Sequence, residues 1–195
     1  MGLSLSKGQS VSLEKTAGGS MEVIIMGLGW DVAKPKGLLG RLFGGGGNID
    51  LDASCVLFDN SGQIIDSIWF SQLQSKDGSI RHTGDNLTGA GDGDDEQIIV
   101  ELTKVPGNIK HLFFVVNSFT GQTFESVENA FCRVLDAKSN KELLRYDLSA
   151  QGSHTSQLMM NLTRSGDDWN VQAIGATSTG HTFHDLMPLM QQHLD

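Results

Sequence analysis

The densest chemistry in this sequence lies in "GDNLTGAGDGDDEQI", Gly84 to Ile98. Asp85, Asp92, Asp94, Asp95 and Glu96 share that stretch with four glycines and no basic residue. More acids stand where strand-like runs begin and end. Asp31 follows "IIMGLGW", and Asp50-Leu51-Asp52 leads into "ASCVLF". The two-residue period of a strand puts Asp50 and Asp52 on one face. If these strand mouths meet the glycine-rich loop, eight carboxylates converge: Asp31, Asp50, Asp52, Asp85, Asp92, Asp94, Asp95 and Glu96.

Such a cluster is costly when bare. Two carboxylates about 5 Å apart repel by roughly 3 kcal/mol at an effective dielectric near 20, and a whole domain is stable by only about 5–15 kcal/mol. Arg81 and His82 are the only bases close by in sequence, too few for this load. Metal ions are therefore the expected neutralisers. The donors are nearly all oxygen, which selects a hard cation. Many carboxylates on a flexible glycine-rich loop suit calcium, with its six to eight oxygen ligands, better than magnesium with its strict octahedron. Eight acids exceed the needs of one ion, so two neighbouring ions are expected. The loop is not an EF-hand, because Leu87 falls on the third position counted from Asp85 and no helical pattern flanks it. It is not a phosphate cradle either, since it lacks GK[ST] and its acids would repel phosphate. The bland alternative is a solvated acidic hairpin.

Other chemistry is sparse. His82 is the one histidine placed to act as acid or base beside the acids, and a metal-dependent phosphoester hydrolase would also need an open metal position and an activated water. No nucleophile–base pair is visible, so no catalytic residue is expected and the chain is read as a non-enzyme. Cys55 and Cys132 sit inside apolar runs without CxxC spacing, which reads as two buried core thiols.

The elements that must position these acids are strands. The chain has 195 residues, 38% of them hydrophobic, with 24 glycines, and is expected to form a single domain over 1–195. About ten segments alternate or run apolar at strand length: "QSVSLEK", "MEVIIMGLGW", "LDASCVLFD", "GQIIDSIWF", "QIIVELT", "HLFFVVNSF", "NAFCRVLDA", "ELLRYDLS", "TSQLMMNLT" and "WNVQAIGA". Cys55 and Leu57 fall on one side of their strand, Val56 and Phe58 on the other, and Asn60-Ser61-Gly62 predicts a hairpin to the next strand. "HLFFVVNSF", apolar on both faces, predicts a central strand. The fold class is all-β, an antiparallel β-sandwich with long acidic loops. A C-terminal helix is predicted over about 182–194, with Phe183, Leu186, Met187, Met190 and Leu194 on its apolar stripe and Thr182 and Asp185 as a capping box. Long loops are expected from Asp31 to Asn48 and from about Ser75 to Glu96. The first carries a basic and Gly-rich insertion over about 34–47, with Lys34, Lys36 and Arg41 among Leu38, Leu39, Leu42 and Phe43.

A formal net charge of −9 disfavours direct contact with nucleic acid or anionic lipid unless a cation stands between. There is no signal-like N-terminus and no apolar run approaching about 20 residues, so the expected location is cytoplasmic, with a peripheral place at the inner membrane as a variant.

Several of these segments together resemble one family. "GLGWD", "DLDAS", "RHTGDNLTGAGDGDDEQI", "NAFCRV", "LRYDLS" and "DDWNVQAIG" are similar to the motifs of the TerD family of tellurium-resistance and stress-response proteins, and the likeness covers nearly the whole chain. The "KPKGLLGRLFGGGG" insertion is most similar to the TerZ branch. The resemblance implies a bacterial β-sandwich that binds two calcium ions through Asp31, Asp50, Asp52, Asp85, Asp92, Asp94, Asp95 and Glu96, with Asn86 as a further donor. It also implies a role in resistance to tellurite, phage and colicins. Expected partners are other proteins of the resistance system, some membrane-associated, or a phosphate-bearing ligand bridged by calcium. A calcium-dependent peripheral membrane module, using Leu38, Leu39, Leu42, Phe43, Lys36 and Arg41, is the alternative. Two separated cysteines do not support a tellurite-reducing enzyme.

Overall fold

The computed structural model describes residues 2–32, 50–84, 93–147 and 152–194. Its strands are β1 (Leu3–Ser4), β2 (Ser10–Ser12), β3 (Val23–Val32), β4 (Leu51–Asp59), β5 (Ile64–Ile68), β6 (Ile80–His82), β7 (Glu96–Glu101), β8 (Ile109–Ser118), β9 (Val127–Asp136), β10 (Lys141–Asp147), β11 (Ser156–Ser165) and β12 (Asp168–Ser178). A short helix α1 (Leu13–Ala17) follows β2, and a 3-10 turn at Phe183–Leu186 runs into α2 (Met187–Gln191). The first sheet has the order β1-β10-β9-β3-β7-β6, the second β2-β12-β11-β8-β4-β5. All pairs are antiparallel except β1 with β10.

The all-β sandwich expected from alternation is what forms. One apolar core fills the space between the sheets, with Met26, Leu28, Cys55, Leu57, Leu112, Phe114, Val134 and Leu162 among its members. A second core lies on the outer side of the second sheet, where Val56, Phe58, Phe113 and Val115 pack under Phe183, Leu186 and Met190. That second core explains why β4 and β8 are apolar on both faces, as predicted for β8, which sits between β11 and β4. The β4–β5 hairpin also forms, its turn held by Asp59 Oδ1 accepting from the Ser61 and Gln63 N–H groups at 2.8 and 3.0 Å, with Gly62 at φ 77°. Both cysteines are buried free thiols, pushed up by burial.

Two expectations are corrected, and the C-terminal helix forms over a shorter span. "QSVSLEK" is not one strand: β2 stops at Ser12, whose Oγ accepts from Lys15 N–H at 3.1 Å and caps α1, while Asp168 Oδ1 takes the Glu14 N–H at 3.1 Å. The capping serine and Gly18 at φ 82° are legible signals of a helix start and stop. The loop from Ser75 to Glu96 is interrupted by β6, three residues too short to show a period, which forms because β7 offers it an edge. The predicted helix over 182–194 is a capped 3-10 turn followed by five helical residues. The Thr182–Asp185 box is present, and the expected stripe faces the second core. The basic and Gly-rich insertion at 34–47 lies outside the described residues.

Candidate functional site

Strand register creates a distinctive row on the outer face of the first sheet. Gly27 of β3 pairs with Gln97 of β7 on one side and with Arg133 of β9 on the other. Their side chains share a face, and the central position has none. The Asp94 carboxylate sits in that gap: a Cβ at Gly27 would lie 2.2 Å from Asp94 Oδ2. Arg133 Nε donates to Asp94 Oδ1 at 2.7 Å, and Gln97 Nε2 donates to Oδ2 at 3.0 Å. The Asp94 side chain is fully buried. Two residues along β3, a Cβ at Gly29 would lie 2.5 Å from the Phe131 ring and 2.7 Å from the Gly93 carbonyl oxygen. The "GLGW" glycines thus form a trough across which Gly93 and Asp94 fold back onto the sheet. Burial opposes the Arg133 charge, but Asp94 and then Glu142 outweigh it and hold the guanidinium above its ordinary value.

Asp95 points elsewhere. Its N–H donates to Leu28 O at 2.7 Å, and its Oδ2 accepts from Trp30 N–H at 2.9 Å. Partial burial raises the Asp95 carboxyl above its usual range; the Trp30 hydrogen bond opposes this, and the charges of Asp31, Asp94 and Glu96 add to it. Asp31, at the end of β3, pairs in register with Glu128, and its Oδ2 accepts from Asn129 Nδ2 at 2.9 Å. The β3–β9 register shifts between Gly29 and Asp31, so that Asn129 and Ala130 face the single residue Trp30, and Asn129 takes φ 52°. A bulge of this kind re-aims side chains at a sheet end.

Glu96 faces inward. Its Oε2 accepts from Ala53 N–H at 2.7 Å and stands 3.3 Å from His82 Nε2, both side chains fully buried. His82 Nδ1 accepts from Gly84 N–H at 3.0 Å. The proton therefore resides on Nε2, aimed at Ala53 O, 3.2 Å away, and at Glu96. His82 is thus a tether between the two ends of the acidic segment.

Asp52 lies on the outer face of the second sheet. It pairs in register with Asn117, whose Nδ2 donates to Asp52 Oδ2 at 3.3 Å and to His181 O at 2.9 Å. Asp50 stands one residue before β4.

The structure therefore places Asp31, Asp94 and Glu96 near enough to Asp95 to act on its charge, although their side chains point in different directions, and sets Asp52 on the other sheet. Asp85, Asn86 and Asp92 lie outside the described residues. Among the described residues no group of three or more His, Cys, Asp or Glu side chains is arranged to hold a metal. The donor chemistry fits a hard cation in part: Asp31 and Asp95 are crowded carboxylates, while Asp94 already has a guanidinium. The expectation that nearby bases are too few overlooked Arg133, which is 39 residues from Asp94 and reaches it only across the sheet. Glu128 and Asn129 were also missed. The non-glycine positive φ that marks Asn129 has no signature in a single sequence, though Asn is a residue type that tolerates it. Among the described residues no helix is long and apolar enough to cross a membrane.

Residues 1–191 match the TerD domain family. Tellurium resistance protein TerZ of Serratia marcescens is 52% identical over 184 residues, 94% of each chain. Stress response protein SCP2 of Bacillus subtilis is 42% identical over 197 residues, 96% of this chain and 98% of that one. The crystal structure of a homologue of telluride resistance protein (TerD) from Streptomyces coelicolor superposes with a TM-score of 0.70 at 18% identity, covering 88% of this chain and 98% of that one.

Proposed function

Since this chain belongs to the TerD family, we propose that it is a calcium-binding interaction module of a bacterial tellurite-resistance and stress-response system, without catalysis of its own. The observation that carries this is the crowding at Asp95: a partly buried carboxylate beside Asp31, Asp94 and Glu96, with its proton affinity raised by burial and by those charges. A cation there relieves repulsion that the fold otherwise sustains. Asp31 and Asp95 would hold one ion, and Asp52, on the other sheet, with Asp50 just before that strand, would serve a second. Asp85, Asn86 and Asp92 would complete the two sites from the loop. Calcium, when bound, supplies charge neutralisation and draws loop oxygens into a fixed surface. That surface would dock another protein of the resistance system or a phosphate-bearing ligand bridged by the ion.

The test is titration calorimetry and thermal unfolding of the full chain in calcium, magnesium and chelator. A ligand present at a hundred times its Kd stabilises by about 2.7 kcal/mol, which raises Tm by about 5–10 °C at this chain length. Two calcium ions per chain are expected. No heat and no Tm shift at millimolar calcium would overturn the proposal. Co-sedimentation with anionic vesicles, with and without calcium and with residues 36–47 deleted, separates protein docking from the membrane alternative.

A further inference from the structure

We infer that Arg133, Gly27 and Gln97 form a socket that holds Asp94 as a structural strut, so that Asp94 positions the calcium site without ligating the ion. This rests on the calcium binding proposed above and goes beyond it by removing one acid from the ligand set and assigning a role to residues outside it.

The geometry of the socket is specific. Three strands contribute one position each to a single row, and the middle position is glycine. Both Asp94 oxygens are engaged, one by a guanidinium at 2.7 Å and one by an amide at 3.0 Å. Turning Asp94 toward an ion would strip an ion pair whose carboxylate is fully buried and leave Arg133, a fixed positive charge, beside a divalent cation. Arg133 is itself braced: Nη1 lies 3.4 Å from Glu142 Oε2, and its guanidinium lies 5.6 Å from the centre of the Phe131 ring, which Arg145 covers at 3.9 Å. The brace therefore runs from β10 through β9 to the segment entering β7.

The consequence falls on Asp95. With Asp94 pinned in the trough and Asp95 N–H bonded to Leu28 O, the chain at 94–95 has one path, and the Asp95 carboxylate is delivered to the Trp30–Asp31 end of β3. The arm that leads from the loop into β7 is ordered by folding rather than by the ion. A site with one wall already in place binds more tightly, because less ordering remains to be done on binding.

The test compares Asp94→Asn, Arg133→Gln, Arg133→Lys and Gly27→Ala with the unmodified full chain, by calorimetric titration with calcium chloride and by Tm in chelator. Asp94→Asn, which keeps the shape of the strut, is expected to retain the stoichiometry of the unmodified chain. Arg133→Gln and Gly27→Ala are expected to weaken calcium binding by about tenfold to a hundredfold, the range seen when outer-shell partners are lost, again with stoichiometry unchanged. Arg133→Lys should recover part of that loss. The double variant Arg133→Gln with Asp94→Asn should be no weaker than Arg133→Gln alone, because the two act as one unit. Loss of one bound calcium in Asp94→Asn would make Asp94 a ligand and overturn the inference while leaving calcium binding intact. Unchanged affinity in both Arg133→Gln and Gly27→Ala would also overturn it. Absence of calcium binding in the unmodified chain would instead overturn the functional proposal itself.

Discussion

The Asp94 carboxylate occupies the space that a side chain at position 27 would fill, 2.2 Å from where a Cβ at Gly27 would stand. A strand interior normally disfavours glycine. Here it is required at Gly27 and again at Gly29, because the segment before β7 lies directly on the outer face of β3.

Gly29→Ala should therefore destabilise the fold. Its new methyl meets the Phe131 ring at 2.5 Å and the Gly93 carbonyl at 2.7 Å, and the second contact is backbone that cannot rotate away. Overpacking of this kind costs about 1–3 kcal/mol, which at this length lowers Tm by about 2–4 °C per kcal/mol. Thermal unfolding in chelator measures it free of any ligand effect. An unchanged Tm would mean that Gly93 does not lie on β3.

His82→Leu should loosen both ends of the acidic segment. It removes the acceptor of the Gly84 N–H and the group beside Glu96 Oε2. Leaving a buried polar group without its partner costs about 1–3 kcal/mol. Hydrogen exchange at the Gly84 amide is the direct readout: slow in the unmodified chain, fast in the variant.

Asp185→Ala should fray the C-terminal turn from the second sheet. Asp185 Oδ2 accepts from His181 N–H at 2.9 Å and Thr182 N–H at 3.1 Å, and losing such a cap costs about 1 kcal/mol. Those two hydrogen bonds hold the Asp185 carboxyl below its ordinary 3.8. Folded affinity for the proton is thus lower than unfolded, so the contribution is complete above pH 3.8 and disappears as pH falls through the folded value. The Tm difference between the variant and the unmodified chain should shrink in that acid window.

His154 should make stability fall on mild acidification. Burial lowers its pKa from 6.5, its Nε2 makes no hydrogen bond among the described residues, and its ring rests against Phe124 with centroids 4.7 Å apart. The unfolded chain takes the proton first, so stability is complete above pH 6.5 and is lost as pH falls from there through the folded value. His154→Gln should flatten the dependence of Tm on pH below 6.5. An identical slope in both proteins would place the sensitivity elsewhere.

Much of the architecture was legible in the chain itself. Alternation or an unbroken apolar run marked ten of the twelve strands among the described residues, and the sides assigned to Val56 and Phe58 against Cys55 and Leu57 match the two cores that flank β4. The capping box at Thr182 and Asp185 was readable because its partners are three residues apart. β1 and β6 were not, because two or three residues carry no period and such strands exist only by pairing with an edge already present. Among the acids, their number and their place at strand mouths were visible, but their division was not.

The sequence by itself determined that this is an all-β sandwich and that its acids gather near strand ends, because alternation and turn chemistry are local and act over a few residues. Tertiary structure alone decided which carboxylate meets which partner. Asp94 goes to Arg133 across Gly27, Glu96 to Ala53 and His82, Asp31 to Asn129, and Asp52 to the opposite sheet beside Asn117. Those pairings follow from strand register, which joins residues that are not neighbours in the chain, and a charge is neutralised by what lies beside it in space, not along the chain.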